Sequence, residues 1–249
     1  MTGSDPEKVS EEFFRNGYSI VEGLFSPAEV TAIRTLAERL PGYLAGDYMP
    51  AMNPHKLVPE LLDVMGDERL LRIMRRLMKG TPQGLQTQYF FCQPGTRGFS
   101  AHQDNHYVQA PPDRFASAWL ALDDVDSQNG GLIVLPDSQE EPLLDVRPID
   151  QPSTFGQDPN HNRQECIVTK PYTPVDAVVK SGGVVFLHSH VVHWSHHNTS
   201  TDRFRRALLM TYLSEGAPYR PGYIAKRHPF QVGANRAGDT PQGASGGVG

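Results

Sequence analysis

His102 and Asp104 stand two apart in Phe99-Ser100-Ala101-His102-Gln103-Asp104-Asn105-His106-Tyr107, and a histidine-rich run follows much later in the chain. Two neutral imidazoles and one carboxylate on a single face of a divalent ion leave its opposite face open. That arrangement suits a non-heme Fe(II) that must bind a co-substrate and dioxygen. Residues two apart on an extended strand point to the same side, so His102 and Asp104 can reach one ion if the segment is extended. The third ligand would come from residues 184–198, which carry His188, His190, His193, His196 and His197. His188 and His190 close an apolar run, His193 precedes Trp194-Ser195 where the chain turns, and His196 and His197 sit beside Asn198-Thr199-Ser200 in a loop-like stretch. Periodicity leaves His188, His190 and His193 level.

Such residues need a rigid frame, and the texture of the chain says where it lies. From residue 84 onward, runs rich in aliphatic and aromatic residues alternate with Gly and Pro turns. Strands are expected over 85–92, 115–122, 132–135, 165–169, 184–187 and 206–213. Before them lies a helical lead. Ser26-Pro27-Ala28-Glu29 supplies a hydroxyl N-cap, a first-turn proline and a glutamate at N3, which starts a helix with Val30, Ile33, Ala37 and Leu40 on its apolar face and an end at Pro41-Gly42. A second helix follows Asp67 and runs through Leu70, Leu71, Met74, Leu77 and Met78 to Gly80, with Arg69, Arg72, Arg75, Arg76 and Lys79 as its solvated face. The expected class is mainly β with flanking helices, a double-sheet sandwich or barrel. The expected layout is one catalytic domain over 1–232: a helical lead at about 8–80, a β core at about 84–215, and a lid-like insert at about 139–180. A disordered tail would cover 233–249.

A net charge of −5 gives no reason to expect nucleic acid or an anionic membrane as partner. No apolar run approaches the roughly 20 residues of a membrane span, and the first residues lack the apolar core of a secretory signal. A soluble, cytoplasmic protein acting on a small molecule, as monomer or homodimer, is the expectation. Cys92 and Cys166 each sit in an apolar, strand-like run, which favours two buried thiols over a disulfide.

Several blocks together resemble the phytanoyl-CoA dioxygenase family. They are Phe14-Arg15-Asn16-Gly17-Tyr18 with Gly23-Leu24-Phe25-Ser26, His102-Gln103-Asp104-Asn105, Ala118-Trp119 through Asp126, Asn129-Gly130-Gly131 through Pro136, and His193-Trp194-Ser195 followed by Arg205-Arg206-Ala207. They occur in the family's order and span about residues 10–215. The resemblance implies a double-stranded β-helix (a cupin-like jelly roll), Fe(II), 2-oxoglutarate as co-substrate and O2. It implies His102, Asp104 and His193 as iron ligands, and an arginine after the distal block that pairs with the distal carboxylate of 2-oxoglutarate in two-point contact. Anchoring on Arg-Arg-Ala selects Arg205. The segment after His193 is one residue longer than the family's, which leaves Arg203 and Arg206 open; strand alternation sets Arg203 and Arg205 on one face and Arg206 on the other.

By family position Ser195 is a hydroxyl partner of the same carboxylate, and Trp119 and Thr87, with Gln88 as register alternative, line the co-substrate pocket. Lys56 is similar to a lysine in the helical lead of some members. Asn105, His106 and Tyr107, directly after the ligand pair, are candidate substrate contacts. The family's usual Pro-Gly-Ser-His stands here as Pro136-Asp137-Ser138-Gln139, so any role of that histidine is missing. The implied reaction is decarboxylation of 2-oxoglutarate to succinate and CO2 coupled to oxidation, most simply hydroxylation, of an unactivated C–H bond. The carboxylate of Asp104 argues against halogenation, while desaturation, ring closure and epimerisation stay open. The polar groups near the site favour a polar small molecule, as in specialised metabolism, over a long acyl chain. Two other classes stay open: a cupin-like metal-dependent hydrolase or isomerase, and a non-catalytic binding module.

Overall fold

The computed structural model describes residues 5–149, 164–222 and 227–233. Helix α1 (Pro6–Asn16) leads to strand β1 (Tyr18–Val21), then α2 (Pro27–Ala37), α3 (Pro41–Ala45), β2 (Ala51–Met52), α4 (Leu61–Met65) and α5 (Glu68–Leu77). The strand-rich part follows: β3 (Pro82–Phe90), α6 (Asn105–Val108), β4 (Phe115–Ala121), β5 (Leu132–Val134), β6 (Val146–Pro148), β7 (Gln164–Cys166), β8 (Val175–Ala177), β9 (Val184–His188), β10 (His193–Ser195) and β11 (Ala207–Ser214).

The capping chemistry acts as expected at the start of α2, where Ser26 Oγ accepts from the Glu29 amide and Glu29 returns an acceptor to the Ser26 amide. Its end differs. The helix stops at Ala37, and Pro41-Gly42 opens α3 instead of closing α2, because a proline at a first helical position lacks only an N–H that would have no partner there. The helical lead also contains two strands, β1 and β2, that its helical texture hides. β1 begins just after Gly17, whose φ of 80° ends α1 and turns the chain into the sheet.

Among the described residues all strand pairings are antiparallel. The large sheet has the order β1-β9-β4-β11-β3-β2, a second sheet runs β10-β5-β8, and β6 pairs with β7. Side chains alternate across the large sheet. Ala118, Leu120, Phe186, Leu208 and Met210 join a buried cluster with Phe13, Ile33, Leu70 and Met74 of the helices. Trp119, Val185, Leu187 and Ala207 point the other way and pack on Leu132, Val134 and Ala177 of the second sheet. Two sheets face to face with helices against one outer face form the jelly roll. Each fully buried large aliphatic or aromatic side chain contributes roughly 1.5–3 kcal/mol of apolar burial, and Leu120, Phe186 and Met210 have no exposed surface.

Cys92 and Cys166 are both buried thiols and are not joined in a disulfide. Among the described residues no helix is long and apolar enough to cross a membrane. In the expected lid-like insert, residues 150–163 lie outside the described residues. Its described part is tied to the ligand segment: the Cys166 amide donates to Ala101 O at 2.8 Å and Ser100 Oγ to Gln164 O at 2.9 Å. The expected tail lies outside the described residues apart from Gly233.

Candidate metal centre

Backbone pairing brings the donors together. His102 and His193 form an isolated antiparallel bridge in which each amide donates to the other's carbonyl at 3.0 Å. The chain does not continue as a strand after His102. Gln103 is fully buried, with Nε2 donating to His190 O at 2.8 Å and to Pro142 O at 3.2 Å, while its Oε1 accepts from the Leu144 amide at 2.8 Å. Asp104 then takes helical torsions, φ −56° and ψ −35°, at the start of α6. The expected strand alternation is therefore corrected: His102 and Asp104 converge because a single bridge is followed at once by a helical turn.

One ligand atom from each of His102, Asp104 and His193 lies within 4.8 Å of the others, a group that could hold a metal ion. Asp104 Oδ1 is 3.6 Å from His102 Nε2 and 3.7 Å from His193 Nε2. On the far side of each ring, His102 Nδ1 meets Ser100 O at 2.8 Å and His193 Nδ1 meets Val191 O at 3.1 Å. A carbonyl there requires N–H, so each Nε2 presents its lone pair to the shared point. The other carboxylate oxygen, Asp104 Oδ2, accepts from Ser117 Oγ at 2.6 Å, which fixes the carboxylate's rotation and aims Oδ1 at the rings. Burial, then the neighbouring His102 ring, lowers the His193 pKa and keeps that imidazole neutral. Two neutral nitrogens and one anionic oxygen on one side of a point, each oriented from behind, fit a divalent transition metal.

The neighbouring histidines are occupied elsewhere. The His188 ring accepts from the His190 amide at 3.2 Å and packs on Phe13, and burial lowers its pKa to about 4. His190 Nδ1 meets Glu141 O and its Nε2 the Asn105 amide. His196 binds Asp176, and His197 binds Gly95 O.

A cavity of about 190 Å³ opens on the three donors, walled by Gln88, Phe90, Trp119, Leu209, Ser195 and Arg205 among others. Arg205 is 1% exposed, a buried cation within the wall. Its Nε donates to Gly130 O at 2.9 Å, and the guanidinium carbon sits 5.7 Å from the Trp119 ring and 5.9 Å from that of Phe90. Arg203 instead pairs with Asp126 at 2.8 and 3.0 Å, and Arg206 with Asp123 at 2.9 and 2.8 Å; neither lines the cavity. All three precede β11, so the strand alternation used on the sequence does not reach them. Ser195 Oγ accepts from the Phe99 amide at 2.9 Å, which leaves its proton for a second acceptor.

Some sequence candidates lie elsewhere. Gln88 is on the cavity wall, whereas Thr87 faces the helices and its hydroxyl meets His55 Nδ1 at 2.7 Å. Lys56 is exposed and away from the cavity. Asn105 is buried as a loop brace, donating to Ala110 O and accepting from the Ala110 amide, and His106 does not reach the wall; of the three residues after the pair, Tyr107 does. Sequence reading missed Gln86 and Arg227, both on the wall. Gln86 was within reach, since it shares a strand face with Gln88. Arg227 lies in an irregular stretch with no periodicity to read.

The phytanoyl-CoA dioxygenase family model matches residues 13–207. The chain belongs to the phytanoyl-CoA dioxygenase family. A curated relative, phytanoyl-CoA dioxygenase domain-containing protein 1 of Danio rerio, is 32% identical over 148 residues, which cover 59% of this chain and 50% of that protein. The chain spans about half to just over three fifths of the length of the first curated relatives it matches. Among solved structures, the epimerase SnoN in complex with Fe3+, alpha ketoglutarate and nogalamycin RO aligns with a TM-score of 0.72 at 20% identity, covering 93% of this chain and 96% of that one. EvdO2 from Micromonospora carbonacea var. aurantiaca, complexed with 2-oxoglutarate, aligns with a TM-score of 0.73 at 22% identity, covering 88% and 95%. These likenesses establish the double-stranded β-helix for this family member.

Proposed function

We propose that this chain is an Fe(II)- and 2-oxoglutarate-dependent dioxygenase that oxidises, most simply hydroxylates, an unactivated C–H bond of a polar small molecule in specialised metabolism. One observation carries the reading: the two-histidine, one-carboxylate group and the buried Arg205 share one cavity. The solved neighbours in complex with 2-oxoglutarate, SnoN also with Fe3+, support it as likenesses of fold. Bound Fe(II) would supply the redox chemistry that couples decarboxylation of 2-oxoglutarate to oxidation of a substrate C–H bond.

The rest is work for the side chains. His102 and His193 offer Nε2 lone pairs fixed by the carbonyls behind them, and Asp104 offers Oδ1 while Ser117 holds Oδ2. Arg205 offers a guanidinium whose plane is set by Gly130 O and two aromatic rings, the matching shape for a carboxylate. Ser195 adds a hydroxyl donor to the same carboxylate. Trp119 and Phe90 keep water from that ion pair, which strengthens it. A metal-dependent hydrolase would have no use for a buried arginine and a hydroxyl opposite its metal donors.

The test is an anaerobic optical titration of Fe(II)-loaded protein with 2-oxoglutarate. A weak visible charge-transfer band from the chelated 2-oxo acid is the expected result. Its absence with iron binding demonstrated would overturn the proposal.

A further inference from the structure

The cavity holds a second arginine that the chemistry above does not use. Arg227 lines the wall with Gln86 and Tyr107, its Nε donating to Gln86 Oε1 at 2.9 Å and a terminal nitrogen to Tyr107 O at 3.2 Å. Both acceptors are neutral, and among the described residues no carboxylate forms an ion pair with it. A half-buried guanidinium held only by neutral acceptors costs free energy unless an anion meets it. Its own pKa is lowered by burial and by Arg220, with Asp104 acting in the opposite sense. Arg220 does not relieve it, since that side chain is turned to the carbonyls of His106 and Tyr107.

The co-substrate is poorly placed to be that anion. Arg205 sits over Phe90 and Arg227 is bonded to Gln86, two residues that share the cavity face of β3 four positions apart. At about 3.4 Å per residue their anchors are roughly 14 Å apart along the strand. A diacid held by Arg205 therefore ends at the metal donors and leaves Arg227 unmatched. The Arg227 wall includes Tyr107, three residues beyond Asp104, so a group bound there lies beside the metal donors, on the side away from Arg205.

We propose that Arg227 anchors an anionic group of the prime substrate, a carboxylate or a phosphate, so that the C–H bond to be oxidised belongs to a small organic acid or phosphate ester. This rests on the dioxygenase reading and narrows its substrate class. Gln86 positions the guanidinium by holding Nε, and Tyr107 O holds the opposite side.

The experiment uses the full chain loaded with Fe(II) and 2-oxoglutarate under anaerobic conditions. It is titrated with matched pairs, each a small carboxylic acid and its primary amide, and with the corresponding phosphate monoesters as a second arm. Binding is read by calorimetry and by the change in the visible band. At least one acid or phosphate ester is expected to bind wild type more tightly than its neutral partner. Arg227→Gln is expected to weaken that ligand by at least about 30-fold, with Arg227→Lys recovering part of the loss and 2-oxoglutarate affinity staying within about twofold in both variants. The arm that binds tells carboxylate from phosphate.

Three results would overturn the proposal: no anion in either arm preferred over its neutral partner by wild type, equal losses for acid and amide in Arg227→Gln, or weakened 2-oxoglutarate binding in that variant. The wild-type preference stands as a test even where Arg227→Gln fails to fold. Absence of the visible band in wild type is the separate failure of the dioxygenase reading.

Discussion

The two faces of the large sheet are made from alternate residues of the same strands, yet they answer to different demands. On β4, Ala118 and Leu120 vanish under the helices, while Ser117 and Trp119 turn to the second sheet, Ser117 to hold Asp104 and Trp119 to stack beside Arg205. On β3, Thr87 is braced by His55 and Gln88 is on the cavity wall. One step along a strand separates a residue that contributes to stability from one that meets ligands. The two properties should therefore be separable by substitution.

The hardest test of that separation is Asp104→Ala, which removes a metal donor without touching the helix-facing core. It should abolish iron-dependent 2-oxoglutarate consumption and the visible band, while the thermal midpoint of the metal-free protein stays within a few degrees. Phe186→Ala is the opposite case. Removing a fully buried ring from the helix face should cost about 3–5 kcal/mol in urea unfolding, and the protein that remains folded should bind 2-oxoglutarate as wild type does. A fall in that affinity would show that the faces are mechanically coupled.

Arg205→Gln should weaken 2-oxoglutarate by about 100-fold, read in the same titration. Arg206→Gln should leave affinity within about twofold and lower stability by roughly 1–2 kcal/mol, because Asp123 loses a two-point partner. The smallest contrast is between adjacent residues of β3. Thr87→Val should cost about 1 kcal/mol of stability through its lost bond to His55 and leave co-substrate affinity alone, whereas Gln88→Leu should change that affinity severalfold with little effect on stability. Reversal of that pair would reverse the assignment of the two faces.

The strands were legible because apolar runs between turn residues have few alternative uses, and the strands expected over 85–92, 115–122 and 184–187 lie within about three residues of β3, β4 and β9. Facing was not legible on β3. Gln86, Thr87 and Gln88 are all polar, so hydrophobic alternation says nothing about which of them looks inward. The histidines beside His193 could not be ranked by pattern, since what removes them from contention is tertiary: Phe13 against His188, and Glu141 O and Asn105 against His190. The turn that swings Asp104 toward the rings depends on Gln103, whose partners are about 40 and 90 positions away, and no local propensity encodes them. Arg227 was hidden for the same reason, because long-range contacts alone bring it to the wall.

The bridge between His102 and His193 also bears on the order of assembly. It joins segments roughly ninety residues apart, and closing a loop of that length costs about 4 kcal/mol of chain entropy. Strand pairing meets that cost, so the donor trio exists only once both sheets have formed. Before then, the five histidines of the 188–197 run are the nearest local chelators for any stray cation. Folding turns four of them to other partners and leaves His193 to face Asp104, so metallation belongs after folding, and a chain refolded in the presence of copper or nickel risks capture by the wrong imidazoles.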